Sequence, residues 1–226
     1  VAILRTRADL DNKLLSGACL AEALVPLQTE LAVVAARNAD GDVTVFPAVE
    51  MEFHPEANLV EFLLCPARIS PMIEAEAEAL AERVINAFGV CGLLAVEMFL
   101  TPEGDLLINE VAPRPHNSGH HTIDSAVTSQ YQQHLRGICN LPLGDTSQTT
   151  PAVMINLLGE PGFKGPVFYE GVEACLAMPG VHIHLYGKAL TSPYRKMGHA
   201  TITGATAEEA VAKARKVQNL LKVKSL

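Results

Sequence analysis

The sequence predicts an α+β fold, in which antiparallel sheets built from hairpins carry packed helices. Three observations lead there. Apolar, β-branched runs come in pairs around short polar turns. Segments of helical period fall between those pairs rather than after every strand, so a regular alternation and an all-parallel sheet are excluded. Hydrophobic residues make up 49% and charged residues 19% of the 226 positions, enough for a sizeable core and too little charge for disorder.

The elements follow in order. Leu31 to Ala36 and Val43 to Val49 flank Asn38-Ala39-Asp40-Gly41-Asp42, which is turn chemistry, and a strand follows at Leu59 to Cys65. Ser70-Pro71 opens a helix, with serine as cap and proline at the first helical position. Its apolar face is Ile73, Ala77, Leu80, Val84 and Phe88, and Gly89 ends it. A second hairpin spans Leu93 to Ala112 around Thr101-Pro102-Glu103-Gly104-Asp105. Ile123 to Ile138 is predicted as one helix, with Val127, Tyr131, Leu135 and Ile138 inward. Strands are expected at Ala152 to Leu158, Val181 to Tyr186 and His199 to Thr203, then a helix opened by the capping box of Thr206 and Glu209. That last helix is basic, with Lys213, Arg215, Lys216, Lys222 and Lys224 expected on a solvated face.

Composition excludes several functions. No run approaches the ~18 consecutive apolar residues of a membrane helix, and the start shows no secretory signal pattern. Five cysteines are scattered without a Cys-x-x-Cys pair, as expected of reduced core thiols in a cytoplasmic compartment. A net charge of -8 argues against non-specific nucleic-acid binding but leaves room for a local basic pocket.

The second hairpin carries chemistry. A turn centred on Glu103-Gly104 sets Glu97 opposite Glu110, and like charges directly across a sheet repel. A cation between them removes the conflict, and two carboxylates with Asn109 nearby suit magnesium and nucleotide phosphates. The alternative is two solvated glutamates. Ala95, Phe99, Ile108 and Ala112 share their face, however, and are expected to be buried.

Pro113-Arg114-Pro115-His116-Asn117-Ser118-Gly119-His120-His121-Thr122 follows, a proline-stiffened loop dense in polar groups. Arg114 suits an anionic oxygen. Zinc on His116, His120 and His121 is open at the level of spacing, as is a plain helix-entry loop. Lys188, Arg195 and Lys196 cluster within nine positions, which fits a phosphate or a solvated turn equally well.

Taken together, Asn109 to His120, Thr122-Ile123-Asp124, Thr128-Ser129-Gln130, Met154 to Gly159 and Arg195 to His199 resemble one family. It is the 5-(carboxyamino)imidazole ribonucleotide synthases, ATP-grasp ligases of purine biosynthesis, and the similarity runs from about Arg5 to about Thr203. The resemblance implies ATP- and bicarbonate-dependent carboxylation of aminoimidazole ribonucleotide through carboxyphosphate. By it Glu97 and Glu110 are magnesium ligands, and Asn109 and Glu110 lie beside the ATP phosphates. It implies an adenine-holding hinge strand at Leu20 to Val25, with Glu22, Ala23, Leu24 and Val25 at the nucleotide. Arg5, Glu30 and His54 fall on further ATP-contacting positions, Glu30 at the ribose. Arg114, His116 and Lys188 fall on catalytic positions, and His116, Asn117, Lys188, Arg195 and Lys196 around the ribonucleotide.

The family implies an ATP-grasp domain at 1–150, incomplete at its N-terminus, and a small β-rich C-terminal subdomain at 151–226. It also implies a homodimer, a mutase domain or subunit downstream in some parents, and a cytoplasmic or plastid setting. Ala8-Asp9-Leu10-Asp11-Asn12 stands in place of the family's glycine-rich phosphate loop and has no glycine, and Arg5 replaces a lysine. The expectation is a portion of a longer enzyme; the alternative is a homologue that keeps nucleotide binding without turnover.

Overall fold

The computed structural model describes residues 2–9, 16–53 and 60–226. Its frame is a nine-stranded sheet in the order β6-β5-β1-β3-β4-β7-β11-β9, with β2 paired to β1. Strand β1 (Thr29–Arg37) is central and buried on both faces over Leu31 to Ala36. It runs antiparallel to β5 (Gly92–Leu100) along its whole length.

The strand expected over Val43 to Val49 is two. Strand β2 (Val43–Val45) pairs with the end of β1, and β3 (Val49–Phe53) pairs with its start and with β4 (Val60–Cys65). Between them lies Pro47, which has no N–H for a ladder. Helix α1 (Pro71–Phe88) begins and ends as predicted: Ser70 accepts from the Ile73 N–H, and Gly89 closes it in the left-handed region at φ 61. Ala77, Ala81, Val84 and Ile85 pack against Leu31, Val33, Val96 and Met98. The inward face is rotated enough to leave Phe88 63% exposed.

Beyond the second hairpin, the helix expected over Ile123 to Ile138 is broken. Helix α2 (Thr122–Ser125) stops at Ala126, whose backbone is extended, and α3 (Gln130–Ile138) restarts from a Ser129–Gln132 capping box. The face of α3 is also inverted: Gln130, Gln133 and Gly137 are buried, while Val127, Tyr131, Leu135 and Ile138 are exposed. Inward glutamines are tolerated because backbone groups satisfy them. Gln133 donates to the Gly144 carbonyl at 2.7 Å and accepts from the Gly144 N–H at 2.8 Å. Gly137 lies so close to β1 that a Cβ would meet the Arg37 carbonyl at 2.7 Å.

Strand β7 (Ala152–Leu158) joins the second half to the first by pairing with β4, from Phe62 opposite Ile155 to Cys65 opposite Ala152. On its other side lies β11 (Lys196–Thr203), and next to that β9 (Val181–Leu185). Helix α4 (Val172–Leu176) and helix α5 (Ala207–Leu220) cover them, with Ala210, Ala214 and Val217 against Ile155, Leu157, Ala200 and Ile202.

A three-stranded sheet of β10 (Leu190–Thr191), β8 (Gly165–Glu170) and β12 (Lys222–Ser225) completes the chain. Strands β8, β10 and β12 are not foreseen in the sequence. Lys222 and Lys224 therefore stand on a strand rather than on the last helix, facing Glu160 and Glu170. Cys65 and Cys175 are buried as expected of core thiols, whereas Cys19, Cys91 and Cys139 are exposed.

Candidate active site

Strand β6 (Leu106–Ala112) returns along β5 through a turn in which the Gly104 N–H donates to the Thr101 carbonyl. Gly104 sits at φ 93, where a side chain is disfavoured. The register sets Ala95, Val96 and Glu97 opposite Ala112, Val111 and Glu110. It then slips by one, so Met98 faces Ile108 and Asn109 is the extra residue of a bulge. The slip moves Ile108 from the face of Glu97 to that of Met98, where on the edge strand it is 48% exposed, against the expectation of burial, and Phe99 is only partly buried.

Glu97 is held up to about 7, first by burial and then by the charges of Glu110 and Glu30; Lys196 and Arg114 oppose the rise. Glu30 stands on the same face, two residues before Ala32, which faces Glu97; burial also raises its carboxyl. His116 closes the group, its Nε2 3.6 Å from Glu97 Oε1. The contact is not an ion pair, because burial depresses the imidazole to about 4 while raising its partner.

Ligand-capable atoms of Glu97, Glu110 and His116 lie within 4.8 Å of one another. Two repelling carboxylates, one pushed toward neutrality, fit a hard divalent cation, with imidazole the less apt donor for magnesium. The zinc alternative gains no support from the geometry, although hydrogen bonds at Nδ1 would in themselves leave Nε2 to ligate. His116 Nδ1 is engaged by Ser118, His120 Nδ1 by Gln130 and His121 Nδ1 by Ser125, and these three do not form a ligand cluster among the described residues.

The loop is shaped by Gln130. Its Oε1 accepts from the His116 N–H at 2.9 Å, and its Nε2 donates to the His116 carbonyl at 2.9 Å and to His120 Nδ1 at 2.8 Å. A Cβ on Gly119 would lie 2.5 Å from Gln130 Oε1, which explains glycine there. Arg114 is exposed and donates to the Pro115 carbonyl, and Asn117 begins a 3-10 turn, Asn117–Gly119.

The cations arrive from the other half of the chain. Lys196 opens β11; burial lowers its ammonium, Glu97 opposes this, and Arg114 and Lys188 add to it. Lys188 Nζ donates to the Lys196 carbonyl at 2.5 Å and sits 5.6 Å from the centre of the Tyr186 ring. Arg195 donates to the Leu190 carbonyl at 2.9 Å. Its turn is clamped on Gly159, which donates to the Arg195 carbonyl and accepts from the Tyr194 N–H. A Cβ on Gly159 would meet the Ser192 carbonyl at 2.1 Å.

Glu97, Glu110, His116, Arg114, Lys188 and Lys196 thus share one neighbourhood, with Glu30 at its edge. Of the other expected nucleotide positions, Asn109 adjoins Glu110, and the described residues of the rest lie on irregular, mostly exposed chain. Leu20 to Val25 forms no strand; Glu22, Ala23 and Leu24 are exposed and Val25 partly buried. These residues have no ladder neighbour among the described strands. Arg5 is exposed, its backbone N–H held by the Asp9 carboxylate. His54 lies outside the described residues.

The chain matches the ATP-grasp domain over residues 4–131. It belongs to the ATP-grasp family. Residues 152–213 of this ATP-grasp chain match the phosphoribosylaminoimidazole carboxylase C-terminal domain. It is 43% identical over 194 residues to phosphoribosylaminoimidazole carboxylase of Saccharomyces cerevisiae, covering 84% of this chain and 33% of that protein. It is 40% identical over 185 residues to N5-carboxyaminoimidazole ribonucleotide synthase of Bacillus subtilis, covering 82% of this chain and 47% of that protein. The chain therefore spans a third to a half of the length of these curated relatives.

Among solved structures, N5-carboxyaminoimidazole ribonucleotide synthetase from Thermotoga maritima superposes with a TM-score of 0.88 at 43% identity, covering 98% of this chain and 59% of that one. The Aspergillus clavatus synthase in complex with ADP and 5-aminoimidazole ribonucleotide superposes at 0.79 and 33% identity, covering 87% of this chain and 52% of that one.

Sequence reasoning found the carboxylates and cations but missed Tyr186, His184, His199 and the role of Gln130. The only signals for them were the alternation His182-Ile183-His184 and the histidine two residues past Met197.

Proposed function

We propose that this chain is the ATP-grasp and C-terminal portion of an enzyme that carboxylates 5-aminoimidazole ribonucleotide, using ATP and bicarbonate, in purine biosynthesis. The observation that carries the reading is the facing pair Glu97 and Glu110 with Lys188, Lys196 and Arg114 beside it. A carboxylate pair for a metal nucleotide stands next to cations for an anionic acceptor. The names of the bacterial and yeast relatives supply the acceptor's identity.

In this reading residues 1–150 present the nucleotide and 151–226 add the cations that meet the ribonucleotide. Glu97 and Glu110 would hold magnesium, which when bound would supply charge neutralisation at the phosphates. Asn109, turned out by the bulge, and Glu110 lie beside the ATP phosphates, and Glu30 takes the ribose. Arg5, Glu22, Ala23, Leu24, Val25 and His54 complete the nucleotide contacts.

The γ-phosphoryl group of ATP is transferred to a bicarbonate oxygen, breaking its bond to the β-phosphate, releasing ADP and giving carboxyphosphate. The exocyclic amine of the ribonucleotide then bonds to the carboxyl carbon, releasing phosphate and a proton. Arg114 and Lys188 stabilise the anionic intermediate, and Arg195, Lys196 and Asn117 orient the ribonucleotide. His116, neutral at physiological pH, offers a hydrogen bond rather than a charge.

The same reading makes the protein a cytoplasmic or plastid homodimer, with a mutase domain or subunit downstream.

Phosphate release from ATP, with bicarbonate and with or without aminoimidazole ribonucleotide, tests the reading. The expected outcome is release stimulated by the ribonucleotide and lost, by at least about a hundredfold, in Glu110→Ala. Release indifferent to both sinks it.

A further inference from the structure

Asp124 belongs to a sequence motif that the proposed chemistry leaves unused, and it anchors a column of aromatic rings beside the site. Its Oδ2 accepts from His184 Nε2 at 2.8 Å. The His184 ring stacks on His199 with centroids 4.5 Å apart and planes 15° from parallel, and His199 stacks on His120 at 4.7 Å. His199 is 2% exposed, and its Nδ1 is 3.0 Å from the Tyr186 hydroxyl. The Tyr186 ring lies beneath Lys188 Nζ. At the other end, Gln130 joins His120 to both backbone groups of His116.

The column therefore touches both halves of the site: His116 on one side, Lys188 on the other. Its elements come from the two halves of the chain, the loop before α3 and strands β9 and β11. We propose that His120, His199 and His184, anchored by Asp124, are positioning residues that set the distance between the Glu97–Glu110 carboxylates and Lys188 through Tyr186. The inference rests on the proposed function only for what Lys188 meets.

The chemistry suits that task. Stacked rings hold spacing tightly because they have few torsions to lose. Its inner rings, His120 and His199, must also be uncharged, since a cationic imidazole there would repel its neighbouring rings and the lysines. At these two rings burial keeps it so, holding His120 to about 4 and His199 to about 3. The Tyr186 hydroxyl, raised to about 12 by burial and Tyr131, remains a protonated donor.

Two measurements on the full chain test this, one of them independent of turnover. The first is the rate at which acetic anhydride labels Lys188, followed by mass spectrometry with exposed Lys164 as internal reference. Tyr186→Phe and His199→Leu are expected to speed Lys188 labelling about three- to tenfold, the scale of one lost hydrogen bond. His184→Gln, which retains a donor toward Asp124, is expected to stay near the parent rate. The second is steady-state kinetics, where the same two variants raise the KM for the ribonucleotide about tenfold and leave the KM for ATP unchanged.

Unchanged Lys188 labelling in both Tyr186→Phe and His199→Leu overturns the inference, as does an equal rise in both KM values. Faster labelling in a chain that shows no ribonucleotide-stimulated release supports the positioning column and defeats the proposed substrate instead.

Discussion

The β5–β6 hairpin and helix α3 lie side by side on the same sheet, yet one follows its sequence pattern and the other contradicts it. In the hairpin Glu97 faces Glu110 as the sequence predicts, with the turn setting the pairs from Leu100–Leu106 to Met98–Ile108 and the Asn109 bulge supplying the last step. In α3 the apolar stripe points outward and two glutamines point in. Register between neighbouring strands is a short-range property of the turn. The inward face of a helix is decided by what lies beneath it, here the backbone of Gly144, His116 and Arg37.

The contrast can be broken hardest at Gln133. Gln133→Leu adds apolar character to the buried face but strands the N–H and C=O of Gly144, and is expected to cost about 2 kcal/mol. Urea unfolding measures it; a neutral or stabilising result would return α3 to ordinary amphipathic packing.

The hairpin side is sharpened by Gly104→Ala, where a Cβ meets nothing within 4 Å and only the φ of 93 resists. A loss of about 1 kcal/mol in thermal unfolding is expected. A much larger loss would mean that the turn holds more than its own geometry.

The smallest effect is the most diagnostic. Leu135→Lys, on the face that pattern reading places inside, is expected to change the stability of the isolated chain by less than about 0.5 kcal/mol. A core-sized loss in dilute solution would show that the face is covered.

Much of the molecule was legible for the same short-range reason. The caps of α1, the turn at Gly104 and the Thr206 N-cap are local chemistry, and each holds in the structure. Of the expected capping box only the Thr206 half forms, since the Glu209 carboxylate accepts from the Ala205 N–H instead. The bulge at Asn109 was not legible, because no turn residue marks it and Ile108 continues the apolar pattern. Strands β8, β10 and β12 escaped because their partners lie across long stretches of chain.

The carboxylates of the site share a hairpin, so the sequence brings them to within one residue of each other, and the bulge at Asn109 completes the pairing. The histidine column could not be brought together this way: Asp124 and His184 are sixty residues apart in sequence, and no periodicity connects them.

The ladder between β4 and β7 has a mechanical meaning. The segments matching the two domain families lie on opposite sides of it, yet four consecutive residue pairs weld them edge to edge. A hinge at this seam would have to tear a ladder, so the carboxylate half and the cation half approach a substrate as a single jaw. Cutting the chain between the halves would bare two complementary strand edges, each a template for recapturing the other.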